Sequence, residues 1–280
     1  MKPMRRRLAT AKFPFSLYPP GDPAFDNPTM KLHTCMLLPL VLMLGGTLAS
    51  KEAPAGKPGP DTAKSVYTYG KKTRDGIGKY YMEREISHVM GHLGAGWLER
   101  PGRRQEERTD LLLANLGLQK HHNAADIGAG TGFFSFPMSE QVTEGKVYAV
   151  DIQDEMLDII RKRMKQRGTT NVVPTKGTIQ DTKLPASTID LVLLVDAYHE
   201  FSHPREMMES IVKSLRPGGR VVLIEYRKED PAVLIKPLHK MTQKQAIREM
   251  QAVGLKWKET KDFLPKQHFM VFTKPGPAKG

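Results

Sequence analysis

The sequence has 280 residues, of which 39% are hydrophobic and 26% charged, a balance that fits one large globular domain with additional segments. The formal net charge is +13, but no long Lys/Arg run concentrates it, so we expect solvated basic faces and no specific nucleic-acid partner. The single cysteine, Cys35, excludes a disulfide within the chain and a cysteine-based zinc cluster.

Residues 1–50 read as an N-terminal tail with a signal-peptide-like segment over residues 30–49. Lys31 precedes an apolar run over 36–44, and small residues then lead to a cleavage position after Ala49. The run is too short for a transmembrane helix, so we expect no stable membrane span after cleavage. If the signal is real, the chain is periplasmic or secreted. The alternatives are a start at Met30, an organelle transit peptide or a disordered tail, and without export we expect a cytoplasmic protein.

Residues 51–66 are rich in Pro, Gly, Ala and Lys and are expected to form a flexible linker. Residues 67–104 are expected to form an N-terminal lid or helical extension, because Ile86, Val89 and Met90 recur at helical spacing after a cluster of tyrosines. Trp97 or one of these tyrosines contacts a substrate, or else the aromatic residues only pack on the core. The sequence leaves both interpretations open.

A glycine-rich turn is the strongest local pattern. Residues 105–116 predict an amphipathic helix that ends at Gly117, and residues 124–127 predict a short buried strand. The strand leads into alternating glycines and then into the apolar start of a helix. Such a turn exposes main-chain N–H groups at a helix N-terminus and is typical of a nucleotide-cofactor site. The candidate cofactor contacts in it are Asp126, Gly128, Ala129, Gly130, Thr131 and Gly132.

A second predicted strand, residues 146–152, ends with a carboxylate at Asp151. One strand–helix–strand unit separates it from the glycine turn, so the strand ends meet at one edge of the sheet, where an acidic side chain can accept both hydroxyls of a ribose. Asp154 is expected to cap the following helix, residues 155–167.

Residues 189–195 are almost continuously apolar, which is typical of a central parallel strand buried on both faces. Ligands bind beyond the carboxyl ends of such strands, so residues 196–200 should face the reacting group. The remaining predicted elements are a helix over 204–215, a strand over 220–226, an insertion over 227–240, a helix capped by Thr242, and closing strands over 255–262 and 268–274.

Five features occur in order over residues 105–274: the ADIGAGTG turn, the acidic end of YAVDI, a GT…LP segment, a strand ending in VDAYHEF, and LRPGGRVVLIEY. This ordered set resembles the class I S-adenosylmethionine-dependent methyltransferases, especially small-molecule enzymes similar to the ubiquinone/menaquinone methyltransferases. The resemblance implies an α/β fold over residues 105–280, a Rossmann-like, doubly wound seven-stranded sheet with an antiparallel last strand and helices on both faces.

The same resemblance implies S-adenosylmethionine as the cofactor and a small-molecule acceptor, with O- or C-methylation favoured. The fourth strand lacks the N/D-P-P-Y/F sequence of many amino-group methyltransferases, which disfavours nucleic acid and glutamine acceptors. Ile152 and Asp196 are expected to contact the cofactor. The adenine segment of the family corresponds to Thr178 and Ile179 here, with residues 180–181 as the alternative.

His199 is the candidate base for an oxygen acceptor, because an imidazole titrates near neutral pH. Glu200 is expected to orient it and Tyr198 to line the pocket; alternatively, His199 and Glu200 only hydrogen-bond to loop backbone. Further residues expected to shape the acceptor pocket are Glu225, Tyr226, Arg227, His239 and Lys240.

Residues 199–203, HEFSH, also match the H-E-x-x-H pattern of zinc metalloproteases. That chemistry needs both histidines on one helical face, whereas Pro204 predicts that His203 lies just before a helix. We therefore expect no resident metal. Three alternatives are less favoured: a zinc hydrolase, a metal-assisted methyltransferase that uses some of Asp196, His199, Glu200 and His203, and a non-catalytic protein that binds S-adenosylmethionine.

Overall fold

The structure, a computed structural model, describes residues 66–276. The signal-like segment 30–49 and nearly all of the linker lie outside these residues, so export stays a prediction. Among the helices of the described part, none is both long enough and apolar enough to cross a membrane.

A small antiparallel sheet opens the described chain. It consists of β1 (Tyr67–Tyr69), β2 (Gly76–Tyr81) and β3 (Arg84–Ser87), with β2 in the middle. Met82 and Glu83 form a tight turn between β2 and β3, with φ of 47° and 71°. This hairpin replaces the helix expected around Ile86, Val89 and Met90. Ile86 is instead a fully buried strand residue. The helical spacing of three apolar residues is a weaker determinant of local structure than the two-residue turn that precedes them.

A larger mixed sheet forms the centre of the fold. Its strands are β4 (Ala124–Ile127), β5 (Val147–Asp151), β6 (Val172–Lys176), β7 (Ile189–Val195), β8 (Leu215–Arg227), β9 (Lys240–Met241), β10 (Lys256–Lys261) and β11 (Gln267–Thr273). The spatial order is β6-β5-β4-β7-β8-β11-β10, and the short β9 pairs with the end of β8. β11 runs antiparallel to both of its neighbours, whereas β4 to β8 are parallel. This confirms the predicted sheet with its antiparallel last strand.

Helices cover both faces of this sheet. They are α1 (Ala95–Leu98), α2 (Arg103–Glu107), α3 (Thr109–Asn115), α4 (Ser135–Gln141), α5 (Asp154–Arg167), α6 (Pro204–Ser214) and α7 (Gln243–Gln251). One apolar core lies under α3, α4 and α5, and the other under α6 and α7. Alternate residues of β7 enter the two cores, Leu191 and Leu193 on one side and Val192 and Leu194 on the other. The strand is therefore apolar at nearly every position.

Two details of the helices differ from the prediction. The helix expected over 105–116 is divided into α2 and α3, because Arg108 between them is left-handed, with φ of 49° and ψ of 50°. Asp154 does not cap α5: Gln153 holds the cap position, and the Asp154 carboxylate pairs with Lys176 at 2.7 Å. The cap predicted at Thr242 is confirmed, since its side chain accepts a hydrogen bond from the backbone N–H of Gln245.

Candidate active site

The glycine turn between β4 and α4 has a backbone that only glycine adopts easily. Gly128, Gly130 and Gly132 have φ of 73°, 54° and 81°. A Cβ at Gly128 would lie 2.9 Å from the Ala197 Cβ, and one at Gly130 would lie 2.7 Å from the Leu98 Cδ1. The turn is therefore closely packed on two sides, and side chains at these positions would displace its neighbours.

Asp151 at the end of β5 anchors the turn. Its Oδ2 accepts a hydrogen bond from the Gly130 N–H at 2.8 Å, and its Oδ1 accepts one from the Gln153 N–H at 2.9 Å. The Gln153 amide in turn donates to the Met90 carbonyl at 3.0 Å and accepts from the His92 N–H at 2.7 Å. Burial raises the pKa of the Asp151 carboxyl above its usual range. The strand end, the glycine turn and the segment after β3 are thus held together.

Asp126 has a different position from the one predicted for a cofactor contact. Its carboxylate is buried and accepts a hydrogen bond from the Ser135 hydroxyl at 2.6 Å, which ties β4 to the first turn of α4. Burial raises the pKa of this carboxyl to about 6. Asp126 supports the turn from behind and does not line the cavity in front of it.

A cavity of about 620 Å³ lies in front of the turn, between the strand ends and the N-terminal segment. Of the predicted cofactor and catalytic residues, eight line it: Gly128, Gly130, Asp151, Ile152, Ile179, Asp196, His199 and Glu200. Six do not: Asp126, Ala129, Thr131, Gly132, Thr178 and Tyr198. Of the residues expected to shape the acceptor pocket, Tyr226 and His239 line the cavity, whereas Glu225, Arg227 and Lys240 do not. Of residues 178–181, which contain both adenine alternatives, only Ile179 lines the cavity. The Thr178 hydroxyl instead accepts hydrogen bonds from the N–H groups of the following turn. Thr131 is buried and donates to Glu99.

The N-terminal segment supplies much of the opposite wall. Trp97, which was one of the expected contacts, lies there with residues that sequence reasoning missed: Ile77, His88, Met90, Leu98 and Arg103. No local pattern in the sequence marks these positions, because their place depends on how the small sheet packs on the larger one.

His199 lies at the carboxyl end of β7 and is only 2% exposed. Its Nδ1 and the Glu225 Oε2 are 2.7 Å apart, and its Nε2 is 3.1 Å from the His239 Nδ1. Burial alone would lower the pKa of His199, but the charge and hydrogen bond of Glu225 raise it above the usual value. Burial and the neighbouring His199 lower the pKa of His239 to about 4.

Glu200 follows His199 in a single 3₁₀ turn, and burial raises its pKa. Its Oε2 accepts a hydrogen bond from the Met90 N–H at 3.1 Å, and its Oε1 lies 3.9 Å from the His199 Nε2. The carboxylate that orients His199 through Nδ1 is therefore Glu225, not Glu200 as expected.

Tyr198 points away from the cavity, which corrects its predicted role. Its side chain is fully buried, and the hydroxyl donates to the Glu249 Oε2 at 2.7 Å. Glu249 is also paired with Arg84 of β3 through two bonds of 2.8 Å. Arg84 further donates to the His199 carbonyl at 3.3 Å. Tyr198 thus belongs to a buried polar cluster behind the site.

The H-E-x-x-H interpretation does not fit the geometry. His199 lies in the 3₁₀ turn 198–200, whereas His203 precedes α6 with a non-helical backbone, φ of -133° and ψ of 65°, as Pro204 predicts. The His203 ring contacts the Ser202 hydroxyl and the Tyr67 ring and does not line the cavity. The two histidines therefore do not share a helical face, and the zinc-protease arrangement is wrong for this chain.

Asp196 carries an unusual carboxylate. Its backbone has φ of 49°, and its Oδ2 accepts a hydrogen bond from the Gln267 amide at 2.7 Å. Its Oδ1 is buried and has no hydrogen-bond partner within residues 66–276. Burial, together with the nearby charges of Glu107 and Glu225, raises the pKa of this carboxyl well above its usual value. A donor group of a ligand in the cavity would satisfy the free oxygen.

Comparison with known proteins agrees with this fold. A family model described as "Methyltransferase domain" matches residues 124–219. A Bacillus subtilis protein named as an uncharacterised methyltransferase, YcgJ, is 27% identical over 51% of this chain and 57% of its own length. The ubiquinone/menaquinone biosynthesis C-methyltransferase UbiE of Pseudoalteromonas translucida is 25% identical over 63% of this chain and 71% of its own length.

Among solved structures, a methyltransferase from Aquifex aeolicus described as dependent on S-adenosylmethionine superposes with a TM-score of 0.63. It is 22% identical, and the match covers 66% of this chain and all of that one. Residues 124–219 thus belong to a class I S-adenosylmethionine-dependent methyltransferase domain, and the UbiE-like proteins are distant homologues of the chain. It spans less than two thirds of the Bacillus subtilis relative.

Proposed function

We propose that this protein transfers a methyl group from S-adenosylmethionine to oxygen or carbon of a small-molecule acceptor. The observation that carries the proposal is that one cavity is lined by the glycine turn, by Asp151 and by His199, whose imidazole is hydrogen-bonded to Glu225. A cofactor site at one end and an oriented imidazole at the other are what the reaction needs.

The cofactor end fits S-adenosylmethionine. The main chain at Gly128 and Gly130 lines the cavity where no Cβ has room, so a ligand can approach the backbone closely. We assign Asp151 to accept the ribose hydroxyls, Ile152 and Ile179 to hold the adenine by apolar contact, and the free oxygen of Asp196 to accept from the amino group. When bound, S-adenosylmethionine supplies a methyl group already activated by its sulfonium charge.

The acceptor end has a base with an orienting partner. Because Glu225 accepts from Nδ1, the Nε2 of His199 is left as the nitrogen that can take a proton from an acceptor hydroxyl or an acidic carbon. Glu225 is a positioning residue, since it acts only through His199. Burial of both side chains keeps the orientation of the imidazole fixed.

The acceptor is expected to be largely apolar with one ionisable hydroxyl or carbon. Apolar side chains surround the polar end of the cavity: Ile77, Val89, Met90, Trp97, Phe201 and Ile235. The relatives named as quinone-biosynthesis C-methyltransferases support carbon as one acceptor atom. The basic charge is not concentrated, which supports the choice of a small molecule over nucleic acid.

The test combines binding and turnover. We expect calorimetry to give micromolar binding of S-adenosylmethionine, and a panel of phenols and quinols to give methylated product by mass spectrometry. His199→Ala should lower kcat by about 10²–10⁴-fold with unchanged cofactor affinity. His203→Ala, in the same sequence motif but outside the cavity, is the matched control and should keep full activity. Equal activity of both variants would refute the base, and cofactor binding without turnover would favour the non-catalytic alternative.

Glu225→Gln separates positioning from folding. The amide keeps the size of the side chain but weakens its hold on the His199 N–H, so kcat should fall about tenfold or more while KM for the acceptor stays near that of the wild type. A rise in KM with unchanged kcat would instead assign Glu225 to acceptor binding.

A further inference from the structure

Three metal-ligating side chains converge on the wall of the cavity. The His199 Nε2 and the His239 Nδ1 are 3.1 Å apart, and the Glu200 Oε1 lies 3.9 Å from the first and 4.0 Å from the second. All three residues line the cavity. We propose that His199, Glu200 and His239 bind one divalent transition-metal ion of the zinc class.

The spacing suits such an ion. Zinc–nitrogen bonds of about 2.0–2.1 Å at tetrahedral angles place two ligand atoms about 3.3 Å apart. The two imidazole nitrogens already have nearly this separation. The Glu200 oxygen has to approach the two nitrogens by about 0.6–0.7 Å to reach it, through a rotation of the carboxylate. Two imidazoles and one carboxylate, with a further position open to the cavity, form a coordination set that zinc accepts.

The hydrogen bonds around the cluster prepare its ligands. Glu225 accepts from Nδ1 of His199, which leaves the lone pair of Nε2 directed at His239. A carboxylate behind a ligating histidine fixes the ring and raises its basicity, as is usual in metal sites. Two imidazole nitrogens at 3.1 Å must share a proton, and a metal ion can replace that proton.

The charges around the cluster favour a cation. Glu200 and Glu225 supply two carboxylates next to the imidazoles, at side-chain exposures of 15% and 0%. Lys236, the basic residue that directly precedes the 3₁₀ turn Pro237–His239, is paired with Asp75 at 3.0 Å. A divalent ion would therefore enter a site with an excess of negative charge.

This site has a consequence for the reaction, which rests on the proposed function. A metal on Nε2 removes the lone pair with which His199 takes the acceptor's proton. Zinc should therefore inhibit methyl transfer without weakening the binding of S-adenosylmethionine, because none of the three ligand residues is a predicted contact of the cofactor.

The experiment titrates the full-length protein, first freed of metal by chelation, with Co²⁺ and Zn²⁺. We expect one equivalent of Co²⁺ to produce visible absorption bands, and calorimetry to give a stoichiometry of one for Zn²⁺. His239→Ala and the more conservative His239→Gln should each lower the affinity at least tenfold, and Glu225→Gln should lower it about 10–100-fold. His203→Ala should bind as the wild type does. Circular dichroism checks that each variant is folded.

Two results would overturn the metal site: no stoichiometric binding by the wild type, or binding by both folded His239 variants with wild-type affinity. The activity arm keeps the two proposals apart. Zinc that binds with a stoichiometry of one but does not inhibit supports the metal site and refutes His199 as the base. A protein that turns over and binds no zinc leaves the methyltransferase proposal intact and refutes the metal site.

Discussion

Asp126→Asn should stabilise the protein at neutral pH and lose that advantage in acid. The carboxyl of Asp126 is 3% exposed, and its burial raises the pKa from 3.8 to about 6. Above pH 6 the folded protein must bury a charge that the unfolded chain keeps in water, so the carboxyl contributes less stability as the pH rises. Asparagine keeps the shape and an acceptor for the Ser135 hydroxyl but cannot ionise.

The expected size follows from the shift in pKa. A change of about two units corresponds to about 3 kcal/mol between strongly acidic and neutral pH. Over the practical range from pH 4.5 to pH 7.5, the difference in unfolding free energy between variant and wild type should grow by about 2 kcal/mol in favour of the variant. The buried amide adds an offset of its own, but this offset does not depend on pH.

Urea denaturation at half-unit pH intervals measures this difference. Asp158→Asn removes a carboxylate that is 71% exposed and serves as the matched control. A difference between the Asp126 variant and the wild type that stays constant from pH 4.5 to 7.5 would refute the argument, since it would mean that the carboxyl has the same affinity for protons in both states.

The remaining predictions concern the turn and its supports. Gly130→Ala should weaken S-adenosylmethionine binding about tenfold or more, because a Cβ there strains a positive φ and meets Leu98. The control is Gly168→Ala, where φ is 65° and the added Cβ has open space around it. It should cost about 1 kcal/mol of stability and leave the affinity measured by calorimetry unchanged. Asp151→Ala should lower the same affinity about 100-fold, and a decrease below threefold would contradict its role. Tyr198→Phe should lower the unfolding free energy by about 1–3 kcal/mol with kcat unchanged. A fall in kcat would show that Tyr198 takes part in the reaction.

The glycine turn, the acidic strand end and the succession of the strands along the chain could all be predicted because their determinants are local in the sequence. Gly128 and Gly130 are specified by a backbone that few other residues adopt, and Asp151 by its place at the end of an apolar strand. The resemblance to the class I methyltransferases implied the doubly wound sheet, and the alternation of apolar strands with helices agrees with it. These features agree with each other, and the structure confirms them.

The roles of individual side chains were harder to predict, because they depend on contacts between distant segments. Glu225 was expected to shape a pocket, yet its carboxylate is the partner of His199, 26 positions earlier. Tyr198 and His199 are adjacent but face opposite ways, and their 3₁₀ turn decides which one reaches the cavity. The hairpin at 82–83 and the break at Arg108 depend on backbone conformations that non-glycine residues adopt only in a particular tertiary context.

The buried pair of Arg84 and Glu249 determines when one part of the fold can form during synthesis of the protein. The two residues are 165 positions apart, and Glu249 is fully buried in the finished fold. At about 5–20 residues per second, a ribosome takes roughly 10–30 s to add the chain between them. Throughout that interval Arg84, in the hairpin of β2 and β3, lacks Glu249 as its partner. The wall that it forms over the cavity can therefore be fixed only after nearly the whole chain has been synthesised.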